Sequence, residues 1–249
     1  MISKAKIKWV RSLGERKYRE ELGVFVAEGP KLVGELLRVY HPRYVAAYAG
    51  WIEENRKALV GAEVDIVIPE ELQRASFLRA PQGVLAVFPI PQHRLDASLP
   101  ERELILALDG VQDPGNMGTI VRLAGWFGIH HVVCSLDTAD IYNPKAVQAT
   151  MGALSQVRVH YCDLPVFLKQ VNAPVYGTFL DGDNIYRQEL TQHGVIVMGN
   201  EGKGVGAAVE ACVTHRLLIP PYPAENLPTD SLNVAMATGI ICAEFRRRG

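Results

Sequence analysis

Leu104-Ile105-Leu106-Ala107-Leu108-Asp109-Gly110-Val111-Gln112-Asp113-Pro114-Gly115-Asn116-Met117-Gly118-Thr119-Ile120-Val121-Arg122 is the stretch on which the reading of this chain turns. From Leu104 to Leu108 there is no polar side chain. A strand buried on both faces reads this way, and such strands belong to parallel sheets covered by helices. Gly115 and Gly118 then permit close backbone approach. If a helix begins near Asn116, Arg122 lies about two turns along it. A tight turn with a capping Asn116 accounts for the first half of the stretch. It gives no reason for an arginine among Ile120, Val121, Leu123 and Ala124.

Downstream, short apolar runs at 132–134, 157–160, 175–177, 195–198 and 217–219 predict further strands with helices between them. The pattern is an α/β domain with a parallel sheet, which binds ligands at the carboxyl ends of its strands. Two more segments follow such strands. One is Gly199-Asn200-Glu201-Gly202-Lys203-Gly204-Val205-Gly206, whose bare backbone amides suit a carboxylate, a phosphate or an adenosine edge. It fits neither the P-loop spacing nor the dinucleotide fingerprint. The other runs from Ile219-Pro220 through a loop to Ser231-Leu232-Asn233-Val234. There Ser231 or Asp230 is expected to cap a closing helix, with Asn233 in its first turn.

Upstream, strands are expected at 23–27, 44–48, 64–68 and 83–88, alternating with helices that include one at 51–60. The segment from Pro89 to Pro100 has no apolar period and holds three prolines, so it reads as a linker. It divides the chain into domains at 1–95 and 96–249. The net charge is −1 over 249 residues. Residues 1–95 carry 15 basic and 11 acidic side chains, against 11 and 16 in the remainder. Lys4, Lys6, Lys8, Arg11, Arg16, Lys17 and Arg19 crowd the N-terminal end, which suggests a polyanion contact or an ordinary solvated helix face. Cys134, Cys162, Cys212 and Cys242 are too scattered for a disulfide framework or a zinc knuckle, and no metal site is expected. No apolar run is long enough to cross a bilayer and no secretion signal is evident, so the chain is expected in the cytoplasm.

Taken in order, Asn116-x-Gly118-x-x-x-Arg122, Gly199-Asn200-Glu201-Gly202, Ile219-Pro220 and Ser231-Leu232-Asn233-Val234 resemble the motifs of the TrmH (SpoU) family of RNA ribose methyltransferases, in the SPOUT superfamily. Tyr142-Asn143-Pro144-Lys145 and Gly177-Thr178-Phe179-Leu180-Asp181-Gly182 add to the match, which spans about 100–249. Val26-Ala27-Glu28-Gly29, with Ser76 and Pro81–Ala86, resembles the small ribosomal-protein-like α/β domain that binds RNA in this family. The sequence departs from the family in the loop Pro221–Asp230, which is longer and proline-rich.

The resemblance implies transfer of a methyl group from S-adenosyl-L-methionine to a ribose 2′-hydroxyl of ribosomal or transfer RNA. It implies a C-terminal trefoil knot and a homodimer formed through the knotted domain. The cofactor would touch Thr178, Gly199, Asn200, Gly202, Ile219 and Leu232. Arg122, Asn116, Glu201 and Asn233 would form the catalytic set. Arginine keeps its proton, so Arg122 is expected to stabilise a phosphate or a developing alkoxide. Asn116 and Asn233 would orient it and the ribose, and Glu201 would fix Arg122 or accept the proton. The basic N-terminal residues would meet RNA phosphates, giving salt-dependent binding. Two rivals remain: a non-catalytic RNA-binding module, which needs no cofactor pocket, and a nucleotide-dependent oxidoreductase, which needs a first-βα glycine fingerprint that Leu104–Gly118 lacks.

Overall fold

A computed structural model describes residues 1–223 and 231–247. Residues 224–230 of the proline-rich loop, Asp230 among them, and Arg248 lie outside the described residues. The chain forms two compact units.

The first unit comprises Met1–Gln92 together with Asp140–Ser155. Its elements are α1 (Lys4–Ser12), α2 (Arg16–Leu22), β1 (Val24–Glu28), α3 (Pro30–Leu37), β2 (Tyr44–Ala47), α4 (Ala49–Asn55), β3 (Glu63–Ile66), α5 (Pro69–Ala75) and β4 (Val84–Pro89). The helix expected at 51–60 is thus α4 followed by a 3-10 turn, Arg56–Leu59. The strands order β1-β4-β2-β3, with β4 antiparallel to both neighbours and β2 parallel to β3. Alternate residues Val24 and Val26 of β1 and Leu85 and Val87 of β4 join Val10, Leu13 and Leu72 in one apolar cluster. Two of the motif residues meet here. Glu28 accepts hydrogen bonds from Ser76 Oγ and from the Phe77 amide, the latter at 2.8 Å, and thereby fixes the turn after α5. Burial pushes the Glu28 carboxyl up, against the pull of these bonds and of Arg11.

The second unit comprises His93–Ala139 and Gln156–Gly249. Its strands are β5 (Leu104–Leu108), β6 (His131–Cys134), β7 (Arg158–Tyr161), β8 (Val175–Asn184), β9 (Gly194–Met198) and β10 (His215–Leu218). Its helices are α6 (Pro114–Trp126), α8 (Leu164–Leu168), α9 (Ala207–Glu210) and α10 (Val234–Arg247), while the intervening α7 (Pro144–Thr150) belongs to the first unit and packs on β1. All six strands are parallel, in the order β10-β8-β9-β5-β6-β7. Central β5 and β9 are buried along their whole length, as expected of strands covered on both faces. Chain order reverses at β5, whose neighbours are β6 and β9. The strand ends around such a point are where open α/β sheets place ligands.

Helices α6 and α10 differ from expectation at their starts. α6 begins at Pro114, and Asp113 rather than Asn116 caps it, accepting from the Asn116 amide. α10 begins at Val234, and Asn233 Oδ1 accepts from the Ala235 and Met236 amides at 3.0 and 3.2 Å. The two helices lie side by side and point the same way. Asn233 meets Asn116 at their starts, and Leu123 lies 3.6 Å from where a Cβ on Gly239 would sit. At their ends Arg246 donates to the Phe127 and Gly128 carbonyls, which satisfies the exposed acceptors at the end of α6.

Candidate active site

The turn after β9 is built around one side chain. Asn200 exchanges backbone hydrogen bonds of 2.9 Å with Gly204, closing a small loop. Its Oδ1 accepts from the Gly202 and Lys203 amides, and its Nδ2 donates to the Gly110 carbonyl at 2.6 Å. Gly110 adopts a positive φ of 69°. Its amide donates to the hydroxyls of Ser135 and Thr138, so the ends of β5, β6 and β9 are tied together. Gly199 is confined by the same loop: a Cβ there would lie 2.5 Å from the Val205 nitrogen. Asp109 completes the frame by accepting from the Gly206 amide at 2.7 Å.

The loop holds Glu201 out towards the starts of α6 and α10. Asn116 Nδ2 donates to Glu201 Oε1 at 2.9 Å, and Asn233 Nδ2 donates to Asn116 Oδ1 at 3.1 Å. Ser231 Oγ reaches the Glu201 carbonyl at 3.4 Å. Residues 85 and 117 positions from Asn116 therefore meet in one hydrogen-bonded row. Because Asp113 caps α6, the side chain of Asn116 is left to join that row. Two parallel helices direct their positive ends at this spot, where an anion is favoured.

Arg122 lies further along α6, exposed, with no hydrogen bond or ion pair among the described residues. Thr178 sits where β8 leaves the ladder and donates to the Val197 carbonyl at 3.2 Å. Ile219 follows β10, half-buried, and Leu232 precedes α10 with 53% of its surface exposed. Asn200, expected at the cofactor, has a structural part in the turn. Its Oδ1 is engaged within the turn and its Nδ2 reaches across to Gly110, so its amide ties the turn to the end of β5.

The basic N-terminal residues do not form one set. Arg19 is a correction: it is 2% exposed, donates to Asp140 at 2.5 and 3.1 Å and to the Leu13 carbonyl, and so is a buried strut of the first unit. Lys6 pairs with Glu63 and lies over the rings of Trp9 and Tyr44. Arg11 donates to the Ser76 carbonyl and stacks on Phe77, and Arg16 pairs with Glu20. Lys4, Lys8 and Lys17 are exposed without a partner among the described residues.

Sequence reasoning passed over Asp109, Asp113, Ser135 and Thr138, which frame the site. Asp113 carried a readable signal, an acidic residue before Pro114 at a helix start. The pairing of Ser135 and Thr138 with Gly110 crosses strands and has no local signature.

A parallel α/β unit whose polar row and glycine turn gather at its strand ends has the build of an α/β enzyme, with its ligand at those ends. Residues 103–243 match the SpoU rRNA Methylase family, and residues 4–86 match an MRM3-like substrate binding domain. The chain belongs to the SpoU methylase family. It is 30% identical to the 23S rRNA (guanosine(2553)-2′-O)-methyltransferase RlmP of Bacillus subtilis, over 97% of this chain and 96% of that one. A putative RNA methyltransferase of the TrmH family from Porphyromonas gingivalis superposes with a TM-score of 0.86 at 42% identity, covering 100% of both chains. The AdoMet-bound rRNA methyltransferase of Sinorhizobium meliloti does so with 0.86 at 26%, covering 100% of this chain and 97% of that one.

Proposed function

We propose that Asn116, Arg122, Glu201 and Asn233 carry the reaction at the strand ends of the second unit. The chain is an enzyme that transfers a methyl group from S-adenosyl-L-methionine to a ribose 2′-hydroxyl of RNA. This reading prevails over the non-catalytic RNA-binding module. The observation that carries the site assignment is the row Asn233–Asn116–Glu201, which joins three segments far apart in the chain.

The donor supplies a methyl group made electrophilic by a sulfonium. Thr178, Gly199, Gly202, Ile219 and Leu232 would hold it, with Asn200 fixing the glycine turn. The attacking hydroxyl is a poor nucleophile until its proton is drawn away. Glu201 is suited to accept that proton, because Asn116 anchors Oε1 while Oε2 has no hydrogen bond among the described residues. Arg122 keeps its own proton and stabilises the neighbouring phosphate or the developing alkoxide. Lys4, Lys8 and Lys17 contact the RNA backbone and position it without reading sequence.

Ribosomal RNA is the proposed substrate, supported by relatives of matching length that act on 23S rRNA. The division at 95/96 is proposed as the boundary between RNA-binding and methyltransferase domains. A homodimer through α6 and α10 is proposed from their exposed apolar side chains, Trp126 and Met236. The trefoil knot is proposed from the resemblance alone. No described helix is long and apolar enough to cross a membrane, and a cytoplasmic location is proposed.

The test is to map ribose methylation in total RNA with and without the gene, and after adding the purified chain and S-adenosyl-L-methionine. One ribosomal 2′-O-methyl group should vanish with the gene and return with the chain. An unchanged map, with no methyl transfer in vitro, would overturn the reading.

A further inference from the structure

β8 does not run as a plain strand. Tyr176 and Gly177 pair with His215 and Arg216, but Asp183 and Asn184 pair with the very next residues, Leu217 and Leu218. Residues 178–182 therefore leave the ladder between two adjacent partners on β10. The neck of this excursion is narrow. A Cβ on Gly182 would lie 2.6 Å from the Leu217 carbonyl carbon, and one on Gly177 would lie 2.5 Å from the Phe179 ring.

Arg216, at the neck, holds the excursion from outside. Its Nη2 donates to Asp181 Oδ1 and its Nη1 to Glu210 Oε1 of α9, each at 2.5 Å. Its guanidinium lies 3.7 Å from the Phe179 ring centroid. The planar, forked cation matches two carboxylates and a ring face at once, which a lysine cannot do. The hydrogen bond from Arg216 holds the Asp181 carboxyl below its usual range. Exposed ion pairs add little to global stability, so this arrangement has a local effect: it selects one shape for a loop that begins at Thr178.

We propose that Arg216 is a positioning residue for donor binding: by clamping Phe179 and Asp181 against Glu210, it keeps the 178–182 excursion in the shape that grips S-adenosyl-L-methionine, without touching it. This rests on the reading that Thr178 borders the donor. Apparent affinity scales with the fraction of protein in the binding-competent shape. If Arg216→Ala leaves about a tenth of molecules competent, the Kd rises roughly tenfold.

The experiment measures S-adenosyl-L-methionine binding by calorimetry, steady-state kinetics, and hydrogen exchange across 178–184 and 199–204. Arg216→Ala should raise Kd and KM for the donor together, roughly tenfold, and leave kcat at saturating donor within about threefold. Arg216→Lys should fall between. Donor affinity equal to the wild type in Arg216→Ala overturns the proposal. If that variant fails to fold, Asp181→Asn is judged by the same criterion. The underlying reading fails separately, if donor binding to the unaltered protein leaves exchange at 178–184 and 199–204 unchanged.

Discussion

At the scale of single residues, the site depends on where side chains are prevented from existing as much as on where they act. Gly199 has no room for a Cβ beside Gly204 and Val205. Gly199→Ala must open the loop that Asn200 closes, releasing Glu201 from the row. We expect donor affinity to fall at least tenfold, with a loss of about 1–3 kcal/mol in stability from the broken turn hydrogen bonds. Calorimetric titration and denaturant melts check both; unchanged affinity would show that the loop does not shape the pocket. Glycine spacing made this turn legible in the sequence, because few residue types tolerate such backbone approach. Arg19 was not legible in the same way. Its charge reads like that of Lys4 or Lys17, and only the distant Asp140 makes it a buried strut.

At the scale of elements, the apolar strands could be read from β5 and β9, whose burial on both faces leaves an unbroken hydrophobic run. The excursion in β8 could not, since period-two alternation says nothing about which partner residues a strand skips. Nor could the packing of α7 on β1, a contact between segments more than a hundred positions apart. The β6–β7 pair carries a consequence for pH. His131 Nδ1 and His160 Nε2 lie 3.1 Å apart, both buried, with His93, His130, Arg158 and Glu103 as charged or titratable neighbours. Burial, then the neighbouring His131, pushes His160 down to about 4, and burial lowers His131 and His93. The unfolded chain binds these protons more readily than the fold does, so stability is full above about pH 6.5 and is lost as pH falls towards 4. His160→Gln should flatten the fall in Tm across that window relative to the unaltered protein. Parallel curves for the two proteins would show that the histidine pair does not set acid stability.

At the scale of the whole molecule, Trp126 is 84% exposed and Met236 66% exposed, on two helices that pack on each other. Trp126 stands at the end of α6 and Met236 near the start of α10, so exposed apolar side chains flank the helix pair at both ends, and the proposed occupant of this face is a second copy of the chain. Sedimentation should give twice the chain mass, and Trp126→Asp should shift it to the monomer with little change in Tm. A monomeric unaltered protein would rule the dimer out. The central proposal is that segments around residues 116–122, 200 and 231–233 form one catalytic centre. The most direct measurement is single-turnover methyl transfer to ribosomal RNA by Arg122→Ala, Glu201→Gln and the double variant, with RNA and donor affinity measured separately. Residues that act as a unit are strongly non-additive. Each single variant should slow the chemical step by about a hundredfold or more, and the double variant should be scarcely slower than the worse single. Single variants within a few-fold of the unaltered rate, or losses that simply multiply, would contradict a shared centre.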